Sequence, residues 1–185
     1  MRYAVLFALT LVAAPAAAQT PAPAATTTVQ AAVKAQVPGI TNFSRVETTV
    51  ACAGATTPEA LAQVKKMGFR SVINLRQPTE PGANVEAEAA AAKAAGIAYV
   101  ALPFNAGAPD PAVADEFLKV VADPANQPAF IHCASGQRAA AMWMIKRMVA
   151  DGWDAERAGA EAAGLGLSSV PLKTFALSYA ASHKP

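Results

Sequence analysis

The stretch 128–149 constrains the fold more than any other part of the chain. Pro128-Ala129-Phe130-Ile131-His132 is a short apolar run of strand character. Cys133 to Gln137 is a tight polar loop that includes Gly136, and 138–149 is an apolar segment long enough for a helix. The rest of the chain from Pro38 onward repeats this alternation, with Gly, Pro or an N-capping residue between segments. Strand-like runs fall at 44–50, 70–75 and 97–102. Helix-like runs fall at 57–67, 84–95, 111–122, 154–163 and 171–182, with Thr57 before Pro58 and Asp110 before Pro111 as start signals. Alternation of this kind predicts an α/β fold, a central mostly parallel sheet flanked by helices, in one domain over 38–185.

The chain of 185 residues carries a short positive start, Met1-Arg2, then an apolar run over 3–12, then Ala16-Ala17-Ala18 before Gln19. Residues 1–18 therefore read as a secretory signal peptide, and an exported, periplasmic location is expected. The apolar run is shorter than the ~20 residues that a membrane span needs, so no stable membrane span is expected. Residues 19–37, rich in Ala, Pro and Thr, read as a flexible linker. The formal charge is only +2 and the basic residues are dispersed, which excludes a nucleic-acid footprint.

Two cysteines, Cys52 and Cys133, are too few for a disulfide framework, and the two histidines, His132 and His183, do not cluster with them at metal-ligand spacing. Neither a metal nor an organic cofactor is expected.

The chemistry concentrates at 132–138. A loop between a strand end and a helix start turns its N–H groups into one concavity at the positive end of the helix dipole, where anions bind. A cysteine at the head of such a loop is a stabilised nucleophile, and Arg138 adds a planar fork for two anionic oxygens. Cys133 and Arg138 are thus the candidate catalytic residues. Ala134, Ser135, Gly136 and Gln137 are the candidate anion-binding residues, for a phosphorylated or other small anionic substrate. His132 sits next to Cys133, and neighbouring strand residues point to opposite faces, so it reads as a buried buttress that hydrogen-bonds the loop rather than as a base.

His132-Cys133-Ala134-Ser135-Gly136-Gln137-Arg138 resembles the phosphate loop of the dual-specificity and tyrosine phosphatase superfamily. Further segments resemble the beta-lactamase-hydrolase-like phosphatase family, DUF442. These are Phe43-Ser44-Arg45-Val46, Gly54, Thr57-Pro58-Glu59, the run from Gly68 through Val72-Ile73-Asn74-Leu75 to Arg76, then Glu80, Gly96-Ile97 and Leu102-Pro103. The resemblance spans about 40–149. It implies a cysteine-phosphatase-like fold in which Cys133 forms a phosphocysteine while the loop amides and Arg138 stabilise the equatorial charge. It also implies that Arg76, as a substrate-binding residue, and Glu80 stand near the pocket mouth.

The loop is one residue shorter than in typical phosphatases, and its Cys-x-x-Gly-x-Arg spacing also resembles single-domain rhodaneses. A sulfurtransferase working through a Cys133 persulfide is the alternative, and a non-catalytic anion-binding module is a third reading. Asn105 occupies the place of the usual general acid, which leaves Asp110 as the candidate acid beside its role as a helix cap. Ala139 stands where the family usually has a hydroxyl residue. Cys52, after the first strand, is a possible redox partner for Cys133.

Overall fold

In the computed structural model, which describes residues 30–46 and 48–183, six strands form one sheet: β1 (Val33–Lys34), β2 (Ser44–Val46), β3 (Val50–Ala53), β4 (Ser71–Asn74), β5 (Ala98–Ala101) and β6 (Ala129–His132). Their order across the sheet is β1-β2-β3-β6-β4-β5. The pairings β3 with β6, β6 with β4 and β4 with β5 are parallel, and the two at the β1 edge are antiparallel. The expected mostly parallel sheet is what the molecule has. β6 lies between β3 and β4, buried along its whole length, so the loop that follows it leaves from the middle of the sheet.

The helices are α1 (Leu61–Lys66, entered through a 3-10 turn at Pro58–Ala60), α2 (Val85–Ala95), α3 (Pro111–Ala122), α4 (Gln137–Val149), α5 (Ala155–Gly164) and α6 (Val170–Ser182). The two-residue period of a strand divides the side chains between two layers. Val50 and Cys52 of β3, Ile73 of β4 and Ile131 of β6 face α3, α4, α5 and α6. Ala51, Ala53, Val72 and Phe130 face α1 and α2. α4 is buried almost all round, from Arg138 through Ile145, because α5 and α6 pack on the side turned away from the sheet. Trp143 Nε1 donates to the buried Glu161 of α5 at 2.8 Å, so its one polar atom is satisfied inside the core. Among the described residues no helix is long and apolar enough to cross a membrane.

Two expectations are corrected. The run 44–50 is not one strand but the two arms of a hairpin: Thr49 N–H donates back to Val46 O at 3.0 Å, and Val46 pairs with Val50. The same β-branched residues suit either arm, so composition alone cannot mark the bend. The stretch 19–37 is not all linker either, since Val33–Lys34 pairs with β2 and extends the sheet. Its first part, like the expected leader over 1–18, lies outside the described residues.

Candidate active site

Cys133 is the first residue beyond β6, and its position is fixed from both sides. Its N–H donates to Ala53 O at 3.1 Å at the end of β3, and Leu75 N–H, at the end of β4, donates to His132 O at 2.9 Å. Next in the loop, Ala134 O accepts from Ala55 N–H at 2.9 Å, and Ser135 O accepts from Asn42 Nδ2 at 3.1 Å. Gly54 is what permits this close approach: a Cβ there would lie 2.3 Å from Thr41 Oγ1 and 3.0 Å from Ala134 O. Gly136 has a left-handed φ of 95°, which lets the chain turn from loop to helix and aims its N–H at Cys133 Sγ, 3.1 Å away. The N–H groups of Ala134, Ser135, Gln137 and Arg138 meet no acceptor among the described residues. That is the expected condition of a helix start prepared for an anion.

Arg138 is held more tightly than its sequence suggests. Its Nη1 donates to Leu75 O at 3.0 Å and Phe104 O at 2.9 Å, and its Nη1 and Nη2 together grip both carboxylate oxygens of Glu80, with Nη2 to Oε2 at 2.8 Å. The end of the guanidinium is thereby occupied, and the group also interacts with the neighbouring Cys133 side chain. Burial opposes the charge on Arg138, but Glu80 and the neighbouring Cys133 outweigh it and hold the group protonated. The hydrogen bonds from Arg138 carry the Glu80 carboxyl from its ordinary 4.5 down to about 2, against the opposing effect of burial.

The folded value lies below the unfolded one, so this pair contributes stability that is full above about pH 4.5 and is lost as pH falls toward 2. Acid unfolding of wild type and Glu80→Gln should therefore differ at neutral pH, with the difference shrinking below about pH 4.5 and gone only below about pH 2. A difference that persists unchanged to pH 2 would contradict the pairing.

Glu80 itself is placed by Arg76, whose role differs from the expected one. Arg76 is 5% exposed and spends its donors on Pro81 O at 2.6 Å, Gly82 O at 2.7 Å and Glu80. It shapes the loop that carries Glu80 and does not line the pocket. Gln137 also acts through its side chain, a role that the sequence did not signal. It bridges to the α5–α6 connection, giving to Gly166 O and Ser168 Oγ and taking from Ser168 N–H and Ser169 N–H.

Above the loop lies a pocket of about 410 Å³ whose lining includes Gln77, Glu80, Asn105, Gln137, Arg138 and Ser169. A larger hollow of about 570 Å³ lies on the other flank of Ser135 and Gln137, but Arg138 does not line it, so the smaller one is the candidate site. Cys133 is 1% exposed and lines neither hollow directly. Asn105 is exposed at the pocket wall, and its Oδ1 accepts from Gly107 N–H at 2.9 Å. Asp110 is exposed, caps α3 through Ala112 N–H at 2.9 Å and is not among the lining residues, so the role of acid expected for it has no geometric support.

His132 is fully buried on the opposite face from Cys133 and does not bond the loop with its ring. Its Nε2 lies instead 3.1 Å from Glu88 Oε2, in an alignment too poor for a hydrogen bond. Glu88 accepts from Asn74 Nδ2 at 2.8 Å and from Tyr99 OH at 3.0 Å. Burial first, and then the Glu88 charge, push the Tyr99 hydroxyl upward, which keeps it a donor. Asn74 Oδ1 takes the Arg76 N–H at 2.8 Å, so this network ties the back of β6 to the Glu80 loop. Cys52 and Cys133 are both free thiols. Burial pushes the Cys52 thiol well up, with Cys133 and Glu161 adding to it, and Cys52 packs as a core residue on the face it shares with Cys133.

A family model for the phosphatase-like domain of beta-lactamase hydrolase-like proteins matches residues 42–150. A beta-lactamase hydrolase-like protein of Xylella fastidiosa is 30% identical over 104 residues, which cover 54% of this chain and 23% of the relative, so the chain matches about a quarter of that protein's length. Among solved structures, a DUF442 protein of Shewanella putrefaciens superposes with a TM-score of 0.66 at 17% identity, over 80% of this chain and 97% of the other. TpbA of P. aeruginosa in complex with pTyr superposes with a TM-score of 0.58 at 18% identity, over 85% and 90%. At these identities the likeness speaks for the fold, which is that of the cysteine phosphatases.

Proposed function

The chain belongs to the phosphatase-like domain family of beta-lactamase hydrolase-like proteins, and from that premise we propose that it hydrolyses phosphate monoesters through a phosphocysteine on Cys133. The observation that carries this reading is the arrangement of Arg138. Glu80 occupies the end of the guanidinium, which leaves the side edge and the loop amides to take the equatorial oxygens of a phosphoryl group above Sγ.

Cys133, as the thiolate, attacks phosphorus, the P–O bond to the leaving group breaks, and the leaving oxygen takes the electron pair. Water then attacks the phosphocysteine, the P–S bond breaks with its pair returning to sulfur, and inorganic phosphate departs. Asn42, Gly54 and Gln137 hold the loop in place while the charge moves, so little reorganisation is needed. The leader-like first residues support export of the protein. Family membership favours this reading over sulfur transfer.

The test is to incubate the domain with p-nitrophenyl phosphate, quench in acid and map the phosphoryl group. It is expected on the peptide that contains Cys133. Steady phosphate release with the label on another side chain, or on none, counts against the intermediate.

A further inference from the structure

The pocket has a feature that bears on which esters it can cleave. Among the described residues that line it, Glu80 is the one carboxyl group, and both of its oxygens are committed to Arg138. Its depressed proton affinity keeps it ionised near neutral pH. Asn105, at the pocket wall, has an amide that cannot protonate an alkoxide. Asp110 is turned to the start of α3. No described lining residue offers a free carboxyl to protonate the leaving oxygen, which on this geometry departs as an anion and takes its proton from water afterwards.

Resting on the phosphatase reading, we propose that the site selects substrates by the basicity of the leaving group: it takes aryl phosphates, with phosphotyrosine-type esters at the upper limit, and leaves alkyl phosphates of the phosphoserine type intact. A phenol such as that of tyrosine ionises near ~10, whereas aliphatic alcohols ionise several units higher. Where a donor assists departure this difference is largely hidden, because the proton neutralises the developing charge in the transition state. Without one it is felt in full, and the assistance forgone is worth about 10² to 10⁴ in rate. The amides of Gln77 and Asn105 still give the pocket polar contacts for the ester, so binding and cleavage are separable.

The experiment measures kcat/KM for a series of aryl phosphates from p-nitrophenyl to phenyl, together with one alkyl phosphate, on wild type, Asn105→Asp and Asp110→Asn. In wild type the rate should fall steeply as the leaving group becomes more basic, at least about 10²-fold from p-nitrophenyl to phenyl. Asn105→Asp keeps an oxygen for Gly107 N–H and should raise turnover of phenyl and alkyl phosphates about 10²-fold, adding a loss of activity at high pH as the new acid ionises. Asp110→Asn preserves the cap and should leave the series unchanged. A flat series, or a tenfold loss with Asp110→Asn on the poor leaving groups alone, overturns the inference and leaves the phosphatase reading standing. No release even of p-nitrophenol overturns both.

Discussion

Cys133→Ser is expected to lower phosphate release from p-nitrophenyl phosphate by about 10⁴-fold or more, while inorganic phosphate still binds. The exchange of sulfur for oxygen changes little in volume at a position that is 1% exposed, and the loop is held by contacts that do not involve the side chain: Ala53 O, Ala55 N–H and Asn42 Nδ2. The contacts altered are the hydrogen bond from Gly136 N–H to Sγ and the interaction of Arg138 with the thiol. The anion cradle should therefore persist, and the loss should appear in kcat with little change in the affinity for phosphate measured by calorimetry. Residual turnover within tenfold of wild type would remove Cys133 from the mechanism. The same preparations should be assayed with thiosulfate and cyanide. Thiocyanate formation that depends on Cys133, without phosphate release, would move the assignment to sulfur transfer.

Glu88→Ala should destabilise the fold by about 3–5 kcal/mol, a large share of the 5–15 kcal/mol that holds a typical domain together. Glu88 is fully buried and serves as acceptor for Asn74 Nδ2 and Tyr99 OH, with His132 Nε2 packed against it. Truncation removes the acceptor of the buried Asn74 amide and of the half-buried Tyr99 hydroxyl, and each buried polar atom left unpaired costs about 1–3 kcal/mol. Glu88→Gln keeps the volume and one acceptor oxygen, so its cost should be clearly smaller. Urea unfolding of the three proteins is the measurement. Equal stability of wild type and Glu88→Ala would show that the network contributes nothing. Because Asn74 also holds the Arg76 N–H, a loosened Glu80 loop should accompany the loss, seen as weaker phosphate binding by Glu88→Gln at temperatures where it remains folded.

How far the sequence could be read follows from where each signal is stored. The strand, loop and helix at 128–149 were legible because their cues are local: an apolar run, a polar turn with Gly136, then a helix whose residues are nearly all small or apolar. The same local cues marked Asp110 as the cap of α3, and they gave most element ends to within a residue or two. The bend after Val46 was not legible, since Thr and Val serve equally well in one long strand or in two paired short ones, and only the pairing of Val46 with Val50 decides. Nor was the pairing of Val33–Lys34 with β2 visible inside a run of linker composition.

The site divides in the same way. That Cys133 and Arg138 stand at the two ends of an anion-binding loop was determined by the sequence, because the backbone between them can fold in few ways once it must leave a buried strand and enter a helix. Which partner each charged group takes was decided only by the tertiary structure. Glu80 belongs to Arg138 because β4 and β6 are parallel neighbours, so the loop after Leu75 lies beside the loop after His132. Arg76 turns away to brace that loop, and Glu88, one of two acids in an alanine-rich helix, becomes the centre of a buried network because α2 covers the back of the sheet where Asn74 and His132 point. Side-chain type is a local property written in the chain, but the energy of a buried charge depends on what surrounds it, and that is supplied by residues distant in sequence.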